Sequence, residues 1–158
     1  MKRFFIGLLL LAVGYALALS KGHEFLQIIV YWKIDNPWNL RLFSKLKEIE
    51  EKYSDDENVK VDFMFICCEP SSEEAWQQAV EKHHLPGTHY MSTAEADYTG
   101  QFNINGYPTV IMADNKGRII YREVGYDSNI KTFAEDYLFN DDFLDMNMAE
   151  KIQRMIGN

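Results

Sequence analysis

Cysteine is nearly absent from this chain: 158 residues contain two, side by side at Cys67-Cys68. No Cys-x-x-Cys occurs, and no cysteine has a histidine or second cysteine at the spacing of a structural zinc site. His83, His84 and His89, with His23 apart, match no metal-ligand signature, so no metal is expected. Also missing are a glycine-rich phosphate loop, a dinucleotide fingerprint and a Ser-His-Asp order able to build a triad. No cofactor is therefore expected. Positive charge is in deficit, with 16 Lys and Arg against 24 Asp and Glu and a formal charge of −8. No basic stripe with interleaved aromatics exists, which argues against nucleic acid and anionic membrane surfaces as partners. The sequence has no repeat, no low-complexity tract and no long linker, and at this length it reads as one domain with a real core.

The first nineteen residues stand apart from that domain. Lys2 and Arg3 precede an uncharged run from Phe4 to Leu19, with small residues at Ala16-Leu17-Ala18. A positive start, an apolar middle and small residues at the end fit a secretory signal peptide. The run is short of the ~20 residues that span a bilayer comfortably, so residues 1–19 are read as a signal peptide or, if uncleaved, an N-terminal anchor. No cysteine follows to carry a lipid. Removal of the leader takes away two positive charges and no acidic residue. The expectation is an exported protein of the periplasm or cell envelope with residues 20–158 as its domain, touching the membrane only if the leader is kept.

Taken in order, the domain alternates strands and helices. Glu24 to Val30 is a largely apolar, β-branched run that reads as a buried strand. Leu42, Leu46, Ile49 and Tyr53 are spaced by four, three and four, one apolar helix face with Lys and Glu on the others. Between them, Asn36-Pro37 supplies a capping side chain followed by a proline that a first helical turn tolerates. Val59 to Cys68 alternates and then turns continuously apolar, as a strand buried on both faces does. Ser71-Ser72-Glu73-Glu74 opens a helix with Ala75, Trp76, Ala79, Val80 and His83 along one side, stopped by Leu85-Pro86-Gly87-Thr88. Ser92-Thr93-Ala94-Glu95 predicts a second capped helix, to about Phe102. Thr109–Ala113 and Ile119–Val124 form a hairpin around Asn115-Lys116-Gly117. Helical periodicity returns from Ser128 through Leu138, and again after Asn140 in a terminal amphipathic stretch with Phe143, Met146, Ile152 and Ile156.

This order gives an α/β fold: a mixed central sheet with helices on both faces, its first two strands parallel through a right-handed crossover. Ligands in such sheets gather beyond the carboxyl ends of the parallel strands. That end brings together the Asn36–Asn39 loop, the Cys67-Cys68 strand end and Tyr107-Pro108.

Three motifs, in this order and spacing, resemble the thioredoxin-like domains of bacterial cell envelopes, the thiol-disulfide interchange type. Tyr31-Trp32 is similar to the family's aromatic-Trp strand end. Gly106-Tyr107-Pro108-Thr109 is similar to its cis-proline loop, and Asp114 to Ile120 to its final hairpin. The resemblance covers roughly Glu24 to Asp136 and implies a thioredoxin-like fold. It also implies that Asn36 and Asn39 occupy the two cysteine positions, with Pro37-Trp38 between them. Redox work there needs a thiolate nucleophile at the helix N-terminus, and a neutral amide cannot attack a disulfide or accept its electrons.

The expected function is that of an exported, non-catalytic module binding a protein or peptide. The candidate binding residues are Asn36, Pro37, Trp38, Asn39, Tyr107 and Pro108, with Trp38 and Tyr107 adding aromatic surface. The plainer reading makes Asn36 a helix cap, Asn39 an exposed polar residue, and Trp32 packing beneath the loop. The alternative function is a thiol-disulfide oxidoreductase or peroxide-related redox protein using Cys67 or Cys68. Against it, neighbours on a strand point to opposite faces and buried cysteine is common.

Overall fold

The computed structural model describes residues 25–93 and 97–139. The expected leader and the terminal amphipathic stretch lie outside the described residues. Five strands form one mixed sheet: β1 (Phe25–Trp32), β2 (Lys60–Cys68), β3 (Thr88–Ser92), β4 (Thr109–Ala113) and β5 (Ile119–Val124), in the order β3-β2-β1-β4-β5. Three α-helices accompany it: α1 (Asn39–Tyr53), α2 (Glu73–His83) and α3 (Ile130–Phe139). Strands β1, β2 and β3 run parallel, with Trp32 beside Cys67 and Cys68 beside Ser92. β4 runs antiparallel to β1, and β5 antiparallel to β4, as expected for the hairpin.

β1 is central, and all eight of its residues are buried. Its alternation divides the core in two. Leu26, Ile28, Val30 and Trp32 face α1, α2 and α3 through Leu42, Leu46, Ile49, Ala79, Phe133 and Tyr137. Ile29 and Tyr31 face the other way, with Met64, Ile66, Cys68 and Ile111, and are covered by Tyr90, Tyr98, Phe102, Ile104 and Tyr107. Consecutive right-handed crossovers that step the same way along a sheet place their helices on the same face, which is why α1 and α2 share a side. Each large apolar side chain so buried contributes about 1.5–3 kcal/mol.

Two expectations are corrected. The sequence marks Leu85-Pro86-Gly87-Thr88 only as a helix stop and offers no strand before Ser92, where the structure has β3. The structure ends α2 at His83, puts His84 in the left-handed region, and pairs Thr88–Ser92 with the edge of β2. The helix expected from Ser92 to about Phe102 is reduced, among the described residues, to a single 3₁₀ turn at Gly100–Phe102. There Ser92 spends its hydroxyl on the Tyr98 N–H as the last residue of β3. The 3₁₀ turn is held by Arg122 of β5, which donates to the Phe102 and Asn103 carbonyls.

At the other end of β2, Gly87 has φ +79°, and a Cβ built there would lie 2.2 Å from the Phe63 carbonyl oxygen. That neighbour is backbone in a central strand and cannot swing away. Gly87→Ala is expected to destabilise the protein by ~2 kcal/mol or more, measured as a lower denaturation midpoint with an unchanged m-value. A midpoint within error of the parent would show that the β2–α2–β3 corner is looser than this contact requires.

Candidate functional site

The site is built where β1 and β2 end and the Tyr107-Pro108 loop approaches them. Trp32 closes β1 fully buried, its indole edge-on to Phe43 of α1 at 5.4 Å and to His83 of α2 at 6.4 Å. It supports the loop from beneath. The chain then turns, with the Asn36 N–H donating to the Lys33 carbonyl and the Asn39 N–H to the Asn36 carbonyl. α1 starts at Asn39, with Trp38 as the N-cap residue and no side chain capping it. Asn36 thus sits two residues earlier than a side-chain cap would. Its Oδ1 accepts the Trp38 N–H at 2.9 Å, an Asx-type turn, while its Nδ2 donates to the Tyr107 carbonyl at 2.7 Å. One amide therefore ties the loop to itself and to the neighbouring loop.

Asn39 is not the exposed polar residue of the plainer reading. It is 2% exposed, and its Nδ2 donates to the Lys33 carbonyl at 2.6 Å. The first turn of α1 rotates it inward, one turn before buried Phe43. Its Oδ1 is buried without a hydrogen-bond partner in the structure. The residues between the two asparagines are both exposed, Trp38 at 47%. The Trp38 ring lies parallel to Tyr126, with centroids 6.3 Å apart, and the Arg41 guanidinium sits 5.2 Å from its centroid. Leu40 and Val124, both exposed, belong to the same end of the molecule.

The Tyr107–Pro108 peptide bond is cis. Pro108 is buried and its carbonyl accepts the Gly125 N–H at 2.7 Å; the Thr109 hydroxyl donates to the Gly106 carbonyl at 2.7 Å. A Cβ at Gly106 would meet a Val124 methyl at 2.6 Å, so a side chain there would require Val124 to move. The Tyr107 ring is half-buried and carries the Lys33 ammonium 4.7 Å from its centroid, while Lys33 also pairs with Glu69. Beyond Tyr107 opens a cleft of about 580 Å³, lined by Cys68, Glu69, Glu73, Ser92, Asp97 and Tyr107 among others.

Cys67 and Cys68 are free, buried, and on opposite faces of the sheet, Cys67 toward the helices and Cys68 toward Tyr107. Burial pushes the Cys67 thiol up to about 12, with Cys68 adding to the rise. Burial also pushes Cys68 up to about 11; the Tyr107 hydroxyl, hydrogen-bonded to it, and nearby Lys33 pull weakly the other way. Neither environment resembles a helix N-terminus, where backbone N–H groups stabilise a thiolate. Among the described residues, no group of three or more His, Cys, Asp or Glu is placed to hold a metal ion.

All six candidate binding residues thus converge on one end of the sheet, together with Cys68; Cys67 is turned away. Sequence reading missed Lys33, Tyr126 and the acidic lining of the cleft. Lys33 carried a signal, being next to the Trp32 strand end. Tyr126 carried none, since only the return of β5 to the Pro108 carbonyl brings it to Trp38.

A family model described as thioredoxin-like domain matches residues 15–135. Among solved structures, the chain is similar to the thioredoxin domain of a thiol-disulfide oxidoreductase from Bacteroides vulgatus. Identity there is 17% and TM-score 0.62, over 73% of this chain and 81% of that one. It is also similar to StoA from Bacillus subtilis, at 12% identity and TM-score 0.57, over 73% and 83% of the two chains. A third similar structure is a secreted disulfide oxidoreductase of Mycobacterium tuberculosis, at 15% identity and TM-score 0.52, over 84% and 81%. At these identities the likeness concerns the fold. No curated protein matches the chain. Among the described residues, no helix is long and apolar enough to cross a membrane.

The two buried thiols make a measurable prediction. In the native protein, alkylation by iodoacetamide should stay slow up to about pH 10 and accelerate only as pH approaches 11 (Cys68) and then 12 (Cys67). In denaturant both thiols should react near the ordinary thiol value of 9.0. A native thiol titrating at or below pH 8, seen as a thiolate absorbance step or an alkylation half-point, is the contrary result.

Proposed function

The chain belongs to the thioredoxin-like domain family, and from that premise we propose that it is an exported member without the redox dithiol, a module that binds a protein or peptide at its 36–39 and 107–108 loops. The observation that carries this reading is the engagement of both asparagines. Asn36 is spent on Trp38 and Tyr107, and Asn39 is buried against the Lys33 carbonyl. No nucleophile stands at the start of α1, while the loops around it are held as a formed surface. Trp38, exposed and stacked on Tyr126, supplies the aromatic anchor such a surface needs. The acidic composition and the lack of a basic stripe support a protein or peptide partner over nucleic acid. Export rests on the leader pattern of residues 1–19, with the periplasm or cell envelope as the destination and a membrane contact only through an uncleaved leader.

One observation favours the alternative of a thiol-disulfide oxidoreductase or peroxide-related protein: Cys68 lines an open cleft beside Tyr107. Its burial and raised thiol pKa weigh against a nucleophilic role.

Dithiol-driven disulfide reduction decides between the two. Disulfide exchange needs an attacking thiolate and a resolving thiol within reach. The wild-type protein is expected to give no turnover above the uncatalysed rate. The double variant Asn36→Cys with Asn39→Cys is expected to gain measurable turnover, because Trp32, the start of α1 and the Tyr107-Pro108 loop remain in place. Wild-type turnover that disappears in Cys68→Ser would replace the binding module with the enzyme.

A further inference from the structure

The aromatic layer beneath the site carries an imidazole at each end. Trp32 of β1, Phe43 of α1 and His83 of α2 meet in pairs, with ring centroids 5.4 Å (Trp32 to Phe43), 5.2 Å (Phe43 to His83) and 6.4 Å (Trp32 to His83) apart. Phe43 also contacts Phe65 of β2 at 5.8 Å, and His89 of β3 lies nearly parallel to Phe65 at 5.5 Å. We propose that this layer is an acid-sensitive latch. Protonation of His83 and His89 unseats the end of α2 and β3, Trp32 loses its lateral support, and the 36–39 loop above it loosens, so that a partner held at neutral pH is released in mild acid. The release rests on the binding function proposed above; the latch itself does not.

The surroundings of His83 are poor in groups that could accept a proton's charge. Of its ring neighbours, Phe43 has no polar side-chain atom, and Trp32 offers only an indole N–H that is itself without a partner. Cys67, beside Trp32 on the helix-facing side of β2, is a neutral thiol. The charged groups that act on the imidazole are Lys82, next to it on α2, and Lys47, one turn after Phe43 on α1. Two effects favour its protonated form: the C-terminal end of α2 attracts positive charge, and aromatic faces attract cations. Burial, Lys82 and Lys47 outweigh them and hold the imidazole below its ordinary value.

His89 is fixed by a hydrogen bond. Its Nε2 lies 3.1 Å from the Leu85 carbonyl. A carbonyl only accepts, so Nε2 carries the proton and Nδ1 is bare. That Nδ1 is buried without a partner. A second proton would have to enter there with no acceptor to meet it, which is costly in a buried position. β2 presents Phe65 to this ring and the α2–β3 corner presents the Leu85 carbonyl, neither of them charged. Burial lowers the His89 pKa, and the Leu85 bond offsets the fall only in part.

Both shifts have the same sign. Each imidazole ionises less readily in the folded protein than at its ordinary value of 6.5. Its contribution to stability is therefore present above pH 6.5 and is lost as pH falls through the folded value. The loss begins where carboxylates are still ionised, so the histidines respond first on acidification. The effect is directed at the site, because His83 touches both Trp32 and Phe43, and Phe43 lies one turn after Asn39.

The test follows the full-length chain without any partner, from neutral pH down to about pH 5, where Asp and Glu remain mostly ionised. Proton NMR of the imidazoles should show two residues titrating below 6.5, one signal missing in His83→Phe and the other in His89→Phe. Hydrogen–deuterium exchange, corrected for its intrinsic pH dependence, reports the loop, whose Asn36 and Asn39 N–H groups are hydrogen-bonded. On acidification, protection over residues 33–40 is expected to drop about threefold or more beyond any drop in β4, as local opening allows. The extra loss should vanish in the double variant His83→Phe with His89→Phe, which keeps a ring at both ends of the layer. Each single variant should reduce it, so the inference does not depend on the double variant folding. The loss should persist in His84→Asn, which removes an exposed histidine at a left-handed position. Equal loss in the loop and β4, or an extra loss undiminished in both single variants, overturns the latch. Neither result touches the binding module, because no partner takes part in the measurement.

Discussion

A single amide holds the two halves of the site together. Asn36 sits at the end of the loop that leaves the central strand, and Tyr107 in the loop that enters β4; the chain between them contains most of the fold. Their junction is the hydrogen bond from Asn36 Nδ2 to the Tyr107 carbonyl, with Asn36 Oδ1 taking the Trp38 N–H. Asparagine is suited to this position because one side chain offers both a donor and an acceptor. A hydrogen bond of this kind contributes about 0.5–1.5 kcal/mol net, but leaving a part-buried carbonyl unpaired costs more than the bond is worth. The position is therefore constrained by its neighbours rather than free to drift, although no thiol chemistry is asked of it.

The two asparagines solve different problems. Asn36 joins two loops across the surface, whereas Asn39 lies beneath it, 2% exposed, supporting the turn through the Lys33 carbonyl. The unpaired Asn39 Oδ1 and the unpaired Trp32 Nε1 are both buried, an acceptor and a donor beside the same residue, Phe43, which contacts the Trp32 ring and lies one turn after Asn39. Together they make the floor of the loop polar at two points inside an otherwise apolar core. Buried polar groups left unpaired are costly, so the restraint on the loop comes instead from the Asn39 Nδ2 bond to the Lys33 carbonyl.

How much of this was legible depended on the range of the interactions. Periodicity placed β1, α1, β2 and the β4–β5 hairpin, because alternation and the 3.6-residue repeat are local. Trp32 beneath the loop and the gathering of residues 36–39 with Tyr107-Pro108 followed from strand order and the carboxyl-end rule. The burial of Asn39 did not follow, since it depends on α1 beginning at residue 39 rather than at Pro37, a shift that turns the side chain inward. β3 was lost because Leu85-Pro86-Gly87 and the serine at 92 looked like a helix stop followed at once by a helix start. Tertiary pairing with β2 overrode the local signal: Ser92 became a strand end whose hydroxyl oxygen accepts the Tyr98 N–H. The stacking of Tyr126 on Trp38 had no sequence signal at all, because it exists only through the Gly125 to Pro108 backbone bond.

The thiols show how position, rather than composition, decides reactivity. Two cysteines end a parallel strand within the zone where ligands gather, yet strand geometry sends their side chains to opposite faces. Cys67 goes under α1 and α2, where nothing charged stabilises a thiolate and burial disfavours it. Cys68 goes toward the cleft and meets Tyr107, whose own hydroxyl is shifted upward by burial and by the facing thiol. Cys68 raises the resistance of Tyr107 to ionisation, while the Tyr107 hydroxyl pulls Cys68 the other way; Glu69 and Asp97 oppose ionisation of both. The carboxylates beside the cleft therefore add to burial in disfavouring a thiolate at Cys68, so its place in the ligand-gathering zone does not make it a nucleophile.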